Sequence, residues 1–223
     1  MWGRRNSLKR FLSFVDRHAN THHAEDVPRV LKPSPRTVIC SPEDFHKLID
    51  LSPLWFRCFL MLCRYLGLRH NEARSLTPRE WNPEERAITI HRKGQSVSTL
   101  PLPDEIEPMF SLAASISLDD PVIRSLGWRH QSAHSLTNWW HSIKKKAGVD
   151  PQLNVHDLRR TVATALYDRT HDLRAVQQLL GHKRMDSTLY YIAPRDPEYL
   201  RGLLAELHPF NLTKAKPATE VKQ

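Results

Sequence analysis

The stretch from Asn154 to Tyr191 constrains the fold of this chain more than any other. Asn154 is a good helix N-cap, and apolar residues recur behind it at helical spacing, which predicts a helix with one buried face. A second helix is predicted from Asp172 to Leu180, because Gly181 follows as a typical helix stop. A third, short helix is predicted over residues 187–192, and it carries two adjacent tyrosines.

Further helices and one hairpin are predicted upstream, so the expected fold class is mixed, mainly α-helical with a small antiparallel β-hairpin or sheet. Residues 87–102 alternate around a Lys-Gly-Gln-Ser turn, which is typical of a hairpin and puts Arg92 and Lys93 at its tip. The segment 119–131 is expected to be irregular. The other predicted helices cover residues 2–20, a segment opening at Ser41, 54–68, a segment opening at Asn71, 103–117 and 135–148.

The composition is that of a basic protein without secretory or membrane features. The 33 Lys and Arg exceed the 24 Asp and Glu and give a formal net charge of +9, which suits a polyanionic partner. No secretory signal is visible, and the most apolar stretch, residues 54–68, is too short to span a bilayer. The cysteines lack the spacing of a disulfide framework or a zinc site and favour the reducing cytosol: Cys40, Cys58 and Cys63.

Two groups of basic residues are candidates for contact with such a polyanion. The predicted helix over residues 2–20 carries Arg5 and Lys9, which would either face solvent or lie along nucleic acid. Lys144 and Lys145 lie near the end of the 135–148 helix. Cations there favour the helix dipole and could also touch phosphates.

Two short motifs combine residue types that suit an anion. His156 and Arg159 are three residues apart, so they share a face in the first turn of a predicted helix, where free N–H groups favour an anion. Arg69 lies between two predicted helices, and Glu72 is close enough to orient it through a charge-assisted hydrogen bond. Taken alone, Arg69 is better explained as a surface arginine, and the alternative for His156 and Arg159 is a helix cap and a surface arginine.

In combination, the motifs resemble the catalytic domain of the tyrosine recombinases, the phage integrase family. The resemblance covers roughly residues 41–193, and six motif positions occur in the family's order at family-like spacing. The matching residues are Gly67, Leu68, Arg69 and Glu72, then Lys93 on the hairpin, then His156 and Arg159, then Leu180, Gly181 and His182, and finally Tyr191, nine residues after His182.

The resemblance implies site-specific recombination of double-stranded DNA, as integration or excision, by strand cleavage and rejoining. Tyr191 would attack a phosphodiester, form a 3′-phosphotyrosine link and release a 5′ hydroxyl. Arg69 and Arg159 would clamp the phosphate oxygens, so no metal and no other cofactor is expected. Lys93 would protonate the leaving oxygen. The spacing from His182 favours Tyr191 over Tyr190 as the nucleophile.

The same resemblance assigns the supporting roles. His156 would act as base or proton acceptor towards Tyr191, His182 would hydrogen-bond the phosphate, and Glu72 would hold Arg69 from behind. Further DNA contacts are expected from Arg5, Lys9, Arg92, Lys144, Lys145 and Arg160.

The family normally has a separate N-terminal core-binding domain, whereas only about forty residues precede the catalytic region here. We therefore interpret residues 1–38 as a basic helix and linker, a remnant of that domain, followed by a catalytic domain over 39–210 and a disordered tail over 211–223. The resemblance further implies a tetramer on DNA in a bacterial or phage-type, nucleoid-associated cytoplasmic setting. A predicted helix over 197–207 would dock on a neighbouring protomer or on its own domain.

Two other functions remain open on the sequence. A type IB topoisomerase-like enzyme would use the same chemistry without strand exchange between partners. A truncated, non-catalytic DNA-binding remnant would keep the fold alone. The predicted tail helix and the short polar linker favour the recombinase over the topoisomerase-like enzyme. All six catalytic positions are present, which disfavours the remnant, whereas the missing N-terminal domain favours it.

Overall fold

A computed structural model describes residues 2–19, 22, 25, 38–92, 96–129, 132–182, 185 and 188 of the 223. The chain forms two compact units, Met1–Arg36 and Thr37–Gln223. The first unit contains helix α1 (Trp2–Ala19), an amphipathic helix on which some apolar side chains are exposed: Leu8, Phe11 and Phe14. None of the helices in the described ranges is long and apolar enough to cross a membrane.

The second unit is mainly helical with one small antiparallel sheet, which confirms the predicted fold class. Its elements in chain order are α2 (Pro42–Asp50), α3 (Leu54–Tyr65), α4 (His70–Ser75), a short 3-10 helix (Pro78–Glu80), β1 (Trp81–Asn82), β2 (Ala87–Arg92), β3 (Ser96–Pro101), α5 (Glu107–Ile116), α6 (Val122–Ser125), α7 (Ala133–Ala147), α8 (Val155–Thr170) and α9 (Leu173–Leu180).

Side-chain caps define the helix starts that matter for the site. The amide oxygen of Asn154 accepts a hydrogen bond from the Asp157 backbone N–H, and the Asp157 carboxylate accepts one from the Asn154 N–H. This reciprocal pair fixes the first turn of α8. Asp172 caps α9 without such a reciprocal bond: its carboxylate accepts from the backbone N–H groups of Arg174 and Ala175. Both predicted helix starts are therefore present.

Helix α3 is the centre of the core. Eight of its twelve residues are buried, so it is enclosed on almost every side. It packs against α4, α6 and α8, and α8 in turn packs against α9. Because α4 and α8 both pack against α3, the two motifs predicted around Arg69 and Arg159 are built on elements of one core.

The sheet has the order β1-β2-β3, with both pairs antiparallel. In β2 the buried positions Ile88, Ile90 and Arg92 alternate with the more exposed Thr89 and His91, as the period of a strand requires. The ladder between β2 and β3 runs from Ala87–Pro101 to Arg92–Ser96. The inner face of the hairpin therefore continues from two isoleucines to an arginine.

The structure differs from the sequence prediction at several elements, including strand β1 and the 3-10 helix before it, which were not predicted. The segment expected to be irregular contains α6, whose four residues are too few to show a periodicity, although Val122 and Ile123 are fully buried. Helix α3 ends at Tyr65, before Gly67 turns the chain with φ +59°. Helix α5 begins at Glu107, four residues after the predicted start at Pro103.

Most of the predicted linker and the predicted helix over 197–207 and tail over 211–223 lie outside the described residues. The same holds for the predicted helix over 187–192, apart from Thr188.

Candidate active site

The carboxylate of Glu72 lies at the centre of an arginine cluster. It accepts hydrogen bonds from the Arg69 backbone N–H at 2.8 Å and from Arg69 Nη1 at 2.7 Å. Its Oε2 also lies 3.7 Å from Arg92 Nη1 and 3.9 Å from Arg159 Nη1. The Glu72–Arg69 hydrogen bond expected from their spacing is thus present. Three guanidiniums share one carboxylate, so the cluster keeps an excess of positive charge.

Arg69 is the arginine of this cluster whose side chain reaches solvent. Its side chain is 34% exposed, whereas those of Arg92 and Arg159 are 1% and 0% exposed. Arg69 occupies the N-cap position of α4, directly after the turn at Gly67 and Leu68. The turn places the Arg69 guanidinium at the surface while Glu72 holds it from behind.

Arg159 is fully enclosed and joins three elements. It donates from Nη1 to the carbonyl oxygen of Gly67 and from Nη2 to the carbonyl oxygen of Leu180 at 2.7 Å. Its Nη2 also lies 3.2 Å from His182 Nε2. The sequence predicted that His156 and Arg159 share an anion-facing surface, but only His156 is exposed. The Arg159 guanidinium therefore faces the protein interior rather than solvent in the described structure.

His182 is held as a neutral imidazole. Because Arg159 can only donate, Nε2 accepts, and Nδ1 therefore carries the proton and donates to Thr188 Oγ1 at 3.1 Å. Desolvation by burial, followed by the positive charges of Arg159, Arg69 and Arg92, lowers the pKa of His182 to about 4. A hydrogen bond from His182 to a phosphate would replace one of its two ring contacts.

His156 stands exposed at the N-terminal end of α8. Desolvation by neighbouring atoms and the charges of Arg159 and Arg69 lower the pKa of its imidazole below the usual value. The ring is therefore neutral near pH 7 and able to accept a proton. It lines a cleft of about 510 Å³ together with His70, Trp140 and Lys144. A second cleft, of about 630 Å³, is lined by His182, Gly181, Ser96 and Ser98.

The structure corrects the prediction that Arg92 is a DNA contact at an exposed hairpin tip. Arg92 is the last paired residue of β2, and its guanidinium is buried. It donates to the carbonyl oxygens of Leu180 and Leu179 and to Ser98 Oγ. Period-two alternation would have found this position, because Arg92 follows Ile88 and Ile90 on the inner face of the strand.

Arg160 is also buried, contrary to its prediction as a DNA contact, and its Nε lies 3.9 Å from Asp157 Oδ1. Lys144 donates to the carbonyl oxygens of Pro151 at 2.6 Å and Leu153 at 2.8 Å, which holds its ammonium against the protein. Lys145 is exposed at the end of α7. It is therefore the better placed of the two lysines for an external anion.

Several predicted site residues are not assembled by the described structure. Lys93, Tyr190 and Tyr191 lie outside the described residues. Arg5 and Lys9 belong to α1, in the first unit, and Lys9 is partly exposed. Conversely, sequence reasoning missed Thr188, which is fully buried against His182 and has no local pattern that identifies it. In the part of the chain that is described, no cluster of His, Cys, Asp and Glu is suited to a metal ion.

Fold and site together define a mainly helical protein with a positively charged cluster of three arginines around one carboxylate, beside two histidines of lowered pKa. The model of the phage integrase family matches residues 41–198. Tyrosine recombinase XerC of Mannheimia succiniciproducens is 29% identical over 92% of this chain and 74% of its own length. Tyrosine recombinase XerD of Haemophilus ducreyi is 30% identical over 82% of this chain and 68% of its own.

A solved structure shows the same fold. The XerH site-specific recombinase, bound to its difH substrate in a pre-cleavage complex, superposes with a TM-score of 0.60 over 82% of this chain and 59% of that one, at 20% identity. The chain belongs to the phage integrase family, the tyrosine recombinases.

Proposed function

We propose that this protein cleaves and rejoins DNA strands at specific sites through a 3′-phosphotyrosine intermediate, which makes it a site-specific recombinase. The observation that carries the proposal is the Glu72-centred cluster, in which one guanidinium, that of Arg69, reaches solvent and two more stand behind it. Such a fixed set of donors stabilises charge that develops on a phosphoryl oxygen, because it needs no reorganisation during the reaction.

In the proposed reaction, the Tyr191 hydroxyl attacks the phosphorus atom and loses its proton to neutral His156. The bond from phosphorus to the 5′ oxygen breaks, and Lys93 gives that oxygen a proton. Arg69 binds a non-bridging oxygen directly. Arg159, which is enclosed behind Arg69, contributes positive charge at short range. Rejoining reverses these steps, with a 5′ hydroxyl attacking the phosphotyrosine.

The proposed partner is double-stranded DNA, which is supported by a solved recombinase of the same fold that is bound to its difH substrate. The proposed setting is the cytoplasm. For strand exchange we propose a homo-oligomer, a tetramer on DNA, joined through the predicted helix over 197–207. The match to named recombinases favours this function over a topoisomerase-like enzyme or a non-catalytic remnant.

Covalent trapping tests the proposal. Nicked duplex oligonucleotides drawn from the DNA that flanks the gene are incubated with wild type, Tyr191→Phe and Tyr190→Phe, and the products are run on a denaturing protein gel. A nick near the cleavage site makes the fragment that carries the free 5′ hydroxyl short enough to diffuse away. Rejoining is then prevented, and the covalent protein–DNA adduct accumulates. The proposal requires this band with wild type and Tyr190→Phe and its absence with Tyr191→Phe. DNA binding without an adduct in any variant would favour the non-catalytic remnant.

A further inference from the structure

The buried guanidinium of Arg92 connects the hairpin to the end of α9. Its Nη1 donates to the carbonyl oxygen of Leu180 at 2.7 Å, its Nη2 to that of Leu179 at 2.8 Å, and its Nε to Ser98 Oγ at 3.0 Å. The carbonyl oxygens at a helix C-terminus carry partial negative charge and lack intrahelical partners, so a cation is favoured there. One planar side chain thus fastens β2, β3 and α9 to each other.

The contact with α9 is possible only because residue 181 is a glycine. A Cβ at this position would lie 2.6 Å from Arg92 Cζ and closer still to Cδ and Nε, an overlap with the rigid end of a held side chain. Gly181 also has φ +58°, in the left-handed region. The Arg92 side chain therefore lies against the backbone that leads directly into His182.

Burying this arginine is costly for the fold. The strand face it continues is otherwise apolar, and desolvation lowers the pKa of the Arg92 guanidinium, with only partial compensation from Glu72. An aliphatic residue would fill such a position without that desolvation penalty. The cost is understandable if holding the next residues of the chain in place matters more than stability.

Lys93 and the turn of the hairpin come directly after Arg92 in the chain. Arg92 pairs with Ser96, so the pair that Arg92 anchors sets both ends of the segment 93–95, which itself lies outside the described residues. Fixing Arg92 on Leu179 and Leu180 consequently fixes where the turn begins relative to His182 and Arg159, which share the Leu180 end of α9.

We propose that Arg92 is a positioning residue: it fixes the end of β2 from which the chain continues into Lys93, so that Lys93 can protonate the leaving 5′ oxygen. This inference rests on the proposed function. It assigns Arg92 no contact with DNA.

The test separates positioning of the acid from folding. Single-turnover cleavage is measured on a nicked duplex with the natural bridging oxygen at the scissile phosphate and on the same duplex with a 5′-bridging sulfur. A thiolate leaves without a proton, so cleavage of the sulfur duplex does not need the general acid. Four proteins are compared with wild type: Lys93→Ala as the benchmark, Arg92→Gln, Arg92→Lys, and Leu48→Ala, a fully buried core position on α2, as a control for destabilisation.

Arg92→Gln is expected to slow cleavage of the oxygen duplex about 100-fold, as misplacing a catalytic group does, and to recover most of that loss on the sulfur duplex, as Lys93→Ala does. Arg92→Lys keeps the charge, but its compact ammonium lacks the planar fork with which the guanidinium binds two carbonyl oxygens. Its loss of cleavage rate on the oxygen duplex should therefore lie between that of wild type and that of Arg92→Gln. Leu48→Ala should change the cleavage rates of the two duplexes by the same factor.

A loss of equal size on both duplexes, or no loss on either, would overturn the role of Arg92 while leaving the proposed function intact. If Arg92→Gln does not fold, Arg92→Lys decides by the same comparison. Failure of wild type to form an adduct with either duplex would instead reject the proposed function, and this inference with it.

Discussion

At the residue scale, the site depends on one carboxylate that holds three guanidiniums together. Only 8% of the Glu72 side chain is exposed, so little solvent would replace its hydrogen bonds if its charge were removed. In the variant Glu72→Gln, the guanidiniums of Arg69, Arg92 and Arg159 would remain close together without a negative charge between them. Glu72 is therefore important for the stability of the site, although it takes no part in the proposed proton transfers.

Glu72→Gln is expected to lower the free energy of unfolding by about 2 kcal/mol, because a charged hydrogen-bond acceptor is lost inside the protein. Urea unfolding measures this change. Glu84→Gln, an exposed position in the turn before β2, is the matched control and should stay within about 0.5 kcal/mol of wild type. Equal effects of the two substitutions would contradict the central position of Glu72.

The two histidines make stability depend on pH. The folded pKa of His182, about 4, lies below its ordinary value of 6.5, and the pKa of His156 is lowered as well. The unfolded chain therefore binds these protons first as pH falls. The stability due to neutral His182 is fully present above pH 6.5 and is lost as pH falls towards 4, a loss of about 3 kcal/mol.

The measurement is a series of urea unfolding curves between pH 7.5 and 4.5 for wild type and His182→Asn. The variant should lose most of the decline in unfolding free energy below pH 6.5 and keep the part due to His156. A variant whose stability declines as steeply as that of wild type would show that His182 is not held neutral.

Sequence spacing predicted which residue types meet in the site but not how deeply each lies. The Glu72–Arg69 bond followed from three-residue spacing at a helix start. The spacing of His156 and Arg159 also indicated a shared face, yet Arg159 is enclosed because Gly67 and α9 cover it, and those contacts are distant in sequence. The depth of Arg159 depends on tertiary packing, which no local pattern contains.

At the element scale, two glycines that end helices have the same backbone conformation and different surroundings. Gly181 after α9 and Gly148 after α7 both adopt a positive φ, at +58° and +64°. A Cβ on Gly148 would meet nothing within 4 Å, whereas one on Gly181 would overlap Arg92. Comparing an alanine substitution at Gly148 with one at Gly181 therefore separates the cost of backbone strain from the cost of the close contact with Arg92.

Gly148→Ala is expected to lower the free energy of unfolding by about 1 kcal/mol, from backbone strain alone. Gly181→Ala should cost about 3 kcal/mol, because overpacking against Arg92 adds to the same strain. Unfolding curves of both variants under one condition give the comparison. A cost for Gly181→Ala no larger than for Gly148→Ala would contradict the close packing of Arg92.

The elements that the sequence predicted best have clear ends. Helix α8 follows its Asn154 cap, α7 stops at Gly148, and the β2–β3 hairpin follows its alternation. Helix α6 and strand β1 were missed because four and two residues are too short for a period. Their places in the structure come from contacts with α3, α5 and β2 rather than from local preference.

At the scale of the whole molecule, the net charge of +9 predicts binding to DNA that weakens with salt, and burial decides which cations contribute. Lys145 is exposed at the end of α7, while Lys144 beside it binds two carbonyls and Arg160 is buried. Adjacent lysines of equal charge thus offer a matched pair.

Lys145→Gln should weaken binding to a duplex of arbitrary sequence and reduce the slope of log affinity against log salt concentration by about one. Lys144→Gln should change the slope less, because its ammonium is held by Pro151 and Leu153. Fluorescence anisotropy at several salt concentrations measures both slopes. A larger change for Lys144 than for Lys145 would contradict the assignment of Lys145 as the external contact.

The central claim, covalent catalysis by Tyr191, is tested most directly by locating the DNA on the protein. The adduct with a nicked duplex is digested with nuclease and trypsin, and fragmentation mass spectrometry is applied to the peptide of residues 185–195, which contains both Tyr190 and Tyr191. Catalysis by Tyr191 predicts a nucleotide phosphate on Tyr191 and none on Tyr190. A phosphate on Tyr190, or on any residue outside this peptide, would contradict it.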